Sequence, residues 1–246
     1  MKERKVALIT GGNRGIGFET AKQLGQQGVT IVVGARDLEK AETAAKELNG
    51  QGINAYGVVL DVTKAADRKA AAAYIDHKFG KLDILVNNAG IAPGNALFEP
   101  MTSGTSAEEF EHIFDTNLFS IVYLTKELLP LLKKSDAGRI VNLSSILGSL
   151  TIHAQKDSPI SSFQRLSYNA SKAALNVFTI QLANELKDTN IKVNSAHPGW
   201  VQTELGGVDK APMSIIDGAK TSVALSLIDA DGPNGRFIHM GDELPW

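Results

Sequence analysis

The chain has 246 residues, 43% of them hydrophobic and 21% charged, and a formal net charge of -2. That composition is globular and long enough for one large core, and the near-neutral charge argues against nucleic acid or an acidic membrane surface as partner. The absence of cysteine excludes disulfides and thiol chemistry.

The charged N-terminus, Met1 to Lys5, leads directly into Val6-Ala7-Leu8-Ile9, an apolar run that reads as a short buried strand. No long apolar segment follows, so neither a signal peptide nor a membrane span is expected, and the expected location is cytoplasmic. Thr10 to Gly17 is a glycine-rich turn, and Phe18 to Gln27 reads as a helix. Thr30 to Val33 is a second strand, Asp37 to Leu48 a helix ended by Asn49-Gly50, and Ala55 to Leu60 a third strand closing on Asp61. Thr63 is the expected N-cap of an Ala-rich helix from Lys64 to Phe79. Leu82 to Val86 is a fourth strand, ending in Asn87-Asn88-Ala89-Gly90. Ser106 and Glu109 have capping-box spacing and start one long helix running to about Leu132. Arg139 to Leu143 is a fifth strand, Ser167 to Lys187 a long helix, Ile191 to Ala196 a sixth strand, Ile215 to Ile228 a helix and Arg236 to His239 a last strand.

Continuous apolar strands alternating with helices imply a parallel sheet covered on both faces. Right-handed crossovers then make it a single-domain α/β protein, residues 1–246, with a doubly wound parallel sheet of about seven strands. Ligands bind such sheets beyond the carboxyl ends of the strands. Gly11 to Gly17, Gly34 to Asp37, Asp61-Val62, Asn87 to Gly90, Ser144-Ser145 and Pro198 to Thr203 are therefore expected to open onto one crevice. Pro93 to Thr105 and Leu147 to Gln164, the longest loop-like stretches, are candidate pocket walls.

The chain resembles the short-chain dehydrogenase/reductase family over nearly its full length. The resemblance rests on Thr10-Gly11-x-x-x-Gly15-x-Gly17, Asn87-Asn88-Ala89-Gly90, Asn117, Ser145, Tyr168-x-x-x-Lys172 and Pro198-Gly199, in this order and on these elements. Pro198-Gly199-Trp200-Val201-x-Thr203 and Gly232-Pro233-x-Gly235-x-Phe237 are similar to the carbonyl reductase subgroup. The resemblance implies a Rossmann-type fold, NADP(H) as cofactor, and a small carbonyl or alcohol as substrate.

By that resemblance, the pyrophosphate lies against Gly11, Asn13, Arg14, Gly15, Ile16 and Gly17, where a helix N-terminus offers free N–H groups. Where NAD-binding sites place an acidic side chain after the second strand, this chain has Arg36. Arg14 and Arg36 are expected to hold the 2′-phosphate through forked, charge-assisted bonds. Asp37 is read as a helix cap rather than a ribose ligand. The resemblance places Asp61 on the adenine amino group and Val62 on the ring, although Asp61 serves equally well as a turn residue before Thr63. It runs the main chain of Asn88, Ala89 and Gly90 beside the cofactor, and turns Pro198, Gly199, Val201 and Thr203 toward the nicotinamide.

Tyr168 and Lys172 are four apart on one helix face, so their side chains can meet. Tyr168 is the expected acid, Lys172 the group that tunes it and holds the nicotinamide ribose, and Ser145 the donor that polarises the carbonyl. Spacing alone does not separate Ser145 from Ser144. Asn117 is expected to hold a water linking Lys172 to solvent. A cofactor-binding role is thus assigned to Tyr168 and Lys172 as well.

The five histidines, His77, His112, His153, His197 and His239, lack ligand spacing, so no metal is expected. Gly-x-Ser-x-Gly and Gly-Lys-Ser/Thr motifs are absent, which argues against a hydrolase elbow and an ATPase loop. The stretch from Ser149 to Gln164 is longer than in most of the family and shorter than in monomeric carbonyl reductases. It is expected to shape the substrate pocket, with His153, Phe163 and Trp200 as lining candidates, and it leaves homodimer, homotetramer and monomer all open. Two other functions stand beside carbonyl reduction: reduction of an acyl-thioester, sugar or steroid ketone, and catalytically silent sensing of NADP(H).

Overall fold

Every expected strand is present in the computed structural model, which describes residues 4–94, 102–207 and 210–246. They are β1 (Val6–Thr10), β2 (Thr30–Ala35), β3 (Ala55–Val59), β4 (Ile84–Asn87), β5 (Arg139–Leu143), β6 (Lys192–Ala196) and β7 (Phe237–His239). An eighth, β8 (Asp242–Glu243), was not expected from the sequence. It is a two-residue edge strand whose exposed acidic pair carries no apolar signal, and it pairs antiparallel with β7. The sheet, expected to have about seven strands, has eight, in the order β3-β2-β1-β4-β5-β6-β7-β8, with every pairing but the last parallel.

The chain starts at the centre of this sheet and winds outward twice, so the order reverses between β1 and β4. That reversal opens a crevice at the carboxyl ends of those two strands. Alternate residues of each strand serve opposite faces. Val6 and Leu8 pack with α3 (Ala65–Phe79), α5 (Ser120–Leu132) and α7 (Leu166–Glu185). Ala7 and Ile9 pack with α1 (Gly15–Gln26), α2 (Leu38–Gly50) and α8 (Ile215–Leu227). Both faces are covered, which is why the central strands are apolar without interruption.

Three local expectations are corrected. The helix from Ser106 to Leu132 is broken: α4 (Ala107–Phe114) passes into a π-helical turn, Asp115–Phe119, and then into α5. Ser106 does cap α4, accepting from Glu109 N at 3.2 Å. The helix α3 starts at Ala65 without a side-chain cap, because the Thr63 hydroxyl donates instead to Asp61 Oδ1 at 2.8 Å. The stretch Leu147 to Gln164 is not plain loop. Ser145 caps a 3-10 turn, Ile146–Gly148, and Ser149 caps the short helix α6 (Leu150–His153).

Candidate active site

The glycine turn after β1 is held in place from the neighbouring strand. Thr10 Oγ1 accepts from the N–H groups of Asn88 and Ala89, both at 2.9 Å, and Asn88 Nδ2 donates to Thr10 O at 2.7 Å. Asn88 thus ties the end of β4 to the turn. Gly11 and Gly15 adopt φ of +61° and +55°, a region that favours glycine. Gly17 answers a different demand: a Cβ there would lie 2.4 Å from Asn88 Nδ2 and 2.5 Å from Gly11 O, so only glycine lets α1 seat against the turn. A Cβ on Gly15 would meet nothing nearer than Thr203 Cγ2, at 3.7 Å. The helix α1 begins with Arg14 at its N-cap position, and Arg14 makes no side-chain capping bond. An uncapped helix N-terminus above open glycine backbone suits a phosphate. These residues, Asn13 and Ile16 among them, fit a dinucleotide pyrophosphate.

Arg14 and Arg36 lie beyond the ends of the paired strands β1 and β2, both exposed. Arg14 Nη1 is ion-paired with Glu204 Oε2. Asp37 caps α2, accepting from Lys40 N at 3.0 Å, so its carboxylate serves the helix. The two readings of Asp61 are not equal in the free protein. Its Oδ1 accepts from Thr63 N at 3.2 Å as well as from the Thr63 hydroxyl, and Oδ2 lies 3.6 Å from Lys64 Nζ. Although partial burial opposes it, these bonds and the charges of Lys64 and Arg36 hold the carboxyl below the usual carboxylate range. Val62 is buried and belongs to the core on the α3 side of the sheet.

The fifth strand delivers two serines with different partners. Ser144 Oγ donates to Lys172 O at 3.5 Å, a long bond to the backbone of α7. Ser145 Oγ accepts from Leu147 N at 3.2 Å and shares the cavity wall with the Tyr168 phenol, on which it acts. Tertiary structure thereby separates two residues that spacing left equivalent. Tyr168 and Lys172 are both buried on α7, with Lys172 Nζ 5.6 Å from the Tyr168 ring centre. Burial pushes the Tyr168 phenol up to about 12, against a smaller opposing effect of the Ser145 hydroxyl. Burial also pushes the Lys172 ammonium down to about 8. In the free protein Tyr168 is therefore a neutral phenol, equipped to give a proton rather than take one.

Asn117 sits inside the π-helical turn with no exposed surface. Its Nδ2 donates to Ile91 O at 2.9 Å and to Ser171 Oγ at 3.1 Å, while Oδ1 accepts from Ile91 N at 2.9 Å. One side chain thus joins the segment after β4 to α7. Such π turns frequently mark functional positions. Gly90 packs beside it, where a Cβ would lie 3.4 Å from Asn117 Oδ1 and 3.5 Å from Lys172 Nζ. Lys172 Nζ itself donates to Leu143 O at 2.9 Å.

Tyr168, Ser145 and Ser144 face a cavity of about 260 Å³ with a mainly apolar lining, to which Ile16 and Thr203 also contribute. Phe163 and Trp200 line it, packed edge to face with centroids 6.2 Å apart. His153, a lining candidate from the sequence, is not among its walls. Its Nε2 bonds Leu147 O at 2.9 Å and braces the 3-10 turn instead. A residue the sequence reading missed is His197, which lines the cavity next to Pro198 and Gly199. Its signal was present, a histidine at the end of an apolar strand beside a Pro-Gly turn, but metal spacing was the wrong test for it. No cluster of His, Cys, Asp or Glu suited to a metal occurs among the described residues.

Residues 5–212 match the family model for short chain dehydrogenases, and the chain belongs to that family. It is 31% identical to NADPH carbonyl reductase 1 of Mus musculus over 286 aligned positions, covering 99% of each chain. That alignment is longer than this chain, so the relative carries insertions that this chain lacks. Among solved structures, salutaridine reductase from Papaver somniferum superposes with a TM-score of 0.80 at 34% identity, covering 95% of this chain and 99% of that one. An NADPH-bound carbonyl reductase from chicken fatty liver gives a TM-score of 0.85 at 29% identity, covering 99% and 100%. The family is one of oxidoreductases, and no helix among the described residues is long and apolar enough to cross a membrane.

Proposed function

We propose that this short-chain dehydrogenase is an NADPH-dependent carbonyl reductase acting on a ketone, aldehyde or quinone. The observation that carries the reading is the placement of Tyr168 and Ser145 in the wall of one mainly apolar cavity that Ile16 of the glycine turn also lines, with Lys172 Nζ 5.6 Å from the Tyr168 ring centre. NADPH, when bound, supplies the hydride. The relatives named for NADPH-linked carbonyl reduction support this choice of cofactor and chemistry.

The chain's own residues do the following. Gly11, Asn13, Gly15, Ile16 and Gly17 seat the pyrophosphate on the N-terminus of α1. Arg14 and Arg36 hold the 2′-phosphate, which is the basis of the preference over NAD. Asn88, Ala89 and Gly90 form the floor of the groove, and Pro198, Gly199, Val201 and Thr203 the side that faces the nicotinamide. The Ser145 hydroxyl donates to the substrate oxygen and polarises the carbonyl. Tyr168 then gives its phenolic proton to that oxygen as it becomes an alkoxide. Its high pKa in the free protein keeps the proton in place until then. The Lys172 ammonium stabilises the phenolate left behind, and Asn117 Oδ1 keeps a second lone pair, beyond the one used by Ile91, for a water leading to Lys172. The apolar walls exclude solvent and accept an apolar substrate body.

The test is a panel of ketones, aldehydes and quinones assayed with NADPH and NADH side by side. Turnover with a marked NADPH preference is expected. Equal rates with NADH overturn the cofactor assignment, and no turnover of any carbonyl supports the sensor reading instead.

A further inference from the structure

His197 is the last residue of its segment before the Pro198-Gly199 turn, and its backbone is held on both sides. Its N–H donates to Ile238 O at 2.8 Å, and its carbonyl accepts from His239 Nδ1 at 2.9 Å. Its ring is buried and lies against the His239 ring, with centroids 4.8 Å apart. The ring nitrogen Nδ1 faces two backbone N–H groups, Ile146 at 3.3 Å and Gly199 at 3.4 Å. A backbone N–H can only donate, so Nδ1 is unprotonated and the ring proton resides on Nε2. Burial and the neighbouring His239 hold the ring in this neutral form.

The two donors come from different parts of the site. Ile146 follows Ser145 and opens the 3-10 turn at the end of β5. Gly199 lies in the turn after β6, with φ of +90°. One lone pair therefore joins the segment that carries Ser145 to the segment assigned to the nicotinamide. Neither bond is short, but without the imidazole both donors lose this acceptor at the wall of an apolar cavity, where an unmade bond is costly.

We propose that His197 is a positioning residue, whose Nδ1 sets the spacing between the Ser145 turn and the Pro198-Gly199 turn, and so between the polarised carbonyl and the nicotinamide. The proposal rests on the roles given to Ser145 and Pro198-Gly199 under the proposed function. It requires an acceptor at the place of Nδ1, not a histidine as such. Asparagine places its side-chain oxygen close to that position, whereas leucine fills much of the volume without an acceptor.

The experiment compares wild type, His197→Leu and His197→Asn in two measurements. The first is amide hydrogen exchange at Ile146 and Gly199, which needs no substrate. Exchange at both is expected to quicken in His197→Leu and to return toward wild type in His197→Asn. The second is kcat and the primary isotope effect with 4-deuterated NADPH, on the best carbonyl of the panel. In His197→Leu kcat is expected to fall about tenfold or more, with a larger isotope effect, because misplacement slows the chemical step. His197→Asn is expected to recover most of both. Unchanged exchange in His197→Leu, or equal damage in both variants, overturns the proposal. If wild type turns over no carbonyl, the proposed function fails, and the exchange measurement alone then decides whether His197 ties the two turns.

Discussion

Arg14 Nη1 is ion-paired with Glu204 Oε2, joining the glycine turn after β1 to the segment that follows Thr203. Both side chains are largely exposed, so the pair itself adds little stability. Its consequence lies in competition, since the guanidinium proposed for the 2′-phosphate already has an anionic partner. Glu204→Gln should free Arg14 and tighten NADPH by up to about fivefold, the ceiling set by an exposed pair. NADH affinity should not change. Isothermal titration with both cofactors checks this, and weaker NADPH binding in the variant contradicts it.

Arg36 is exposed and its charge helps to keep Asp61 ionised. Loss of a charge-assisted phosphate bond costs on the order of tenfold to a hundredfold in affinity. Arg36→Asp is therefore expected to weaken NADPH by that factor and to leave NADH unchanged or improved. The ratio of kcat/KM for the two cofactors is the measurement, and an unchanged ratio removes Arg36 from the phosphate site.

Tyr168→Phe removes the proton donor and little else, because the ring stays in its buried position. Turnover should fall by about a thousandfold or more, within reach of lost general acid catalysis combined with a lost hydrogen bond to the oxygen. NADPH binding, followed by fluorescence, should persist. Substantial residual activity would mean that another group protonates the product.

The buried pair also predicts a pH dependence of stability. Lys172 titrates at about 8 when folded and at 10.5 in its ordinary state, so between those values the unfolded chain holds a proton that the folded one has lost. Stability contributed through this group accordingly rises with pH from about 8 to 10.5, the burial penalty being fully present below that window. Tyr168 acts in the opposite sense at higher pH: raised from 10 to about 12, it contributes stability that is lost as pH climbs between those values. Thermal midpoints of wild type and Lys172→Met, compared from pH 7 to pH 10, should shift in favour of wild type as pH rises. A constant difference between the two curves is the contrary result.

Gly17→Ala tests the seat of α1. Its Cβ would collide with Asn88 Nδ2 and with Gly11 O, and the backbone oxygen has little freedom to retreat. Overpacking of this kind costs about 1–3 kcal/mol, and the displaced turn should lose NADPH affinity along with stability. Denaturant unfolding and cofactor titration measure the two effects, and a variant with wild-type values in both would show that the turn yields freely.

The strands and the helices that cover them were legible in the sequence because each is a local apolar run with a local stop. The Rossmann-type sheet followed from their alternation, and the residues of the crevice from the ends of those runs. The family motifs single out Tyr168, Lys172, Ser145 and Asn117 as candidates. What local pattern could not carry was partnership. Ser144 and Ser145 are equivalent in sequence, and they differ only because one meets the backbone of α7 and the other meets Tyr168. Asn117 looked like a helix interior, and the π turn exists where its amide reaches Ile91 and Ser171 on other elements. His197 stands beside the Pro198-Gly199 motif, but its role is not local, since one of its two donors, Ile146 N, arrives from the turn after β5 to join that of Gly199. Arg14 reads as a free cation along the chain and meets Glu204 only after folding. The sequence by itself determined the elements, their order and the residue types available at the crevice, because propensity and periodicity act over a few residues. Tertiary structure alone decided which of those side chains face each other and which protons they keep, because hydrogen bonding and desolvation depend on neighbours that are distant in the chain.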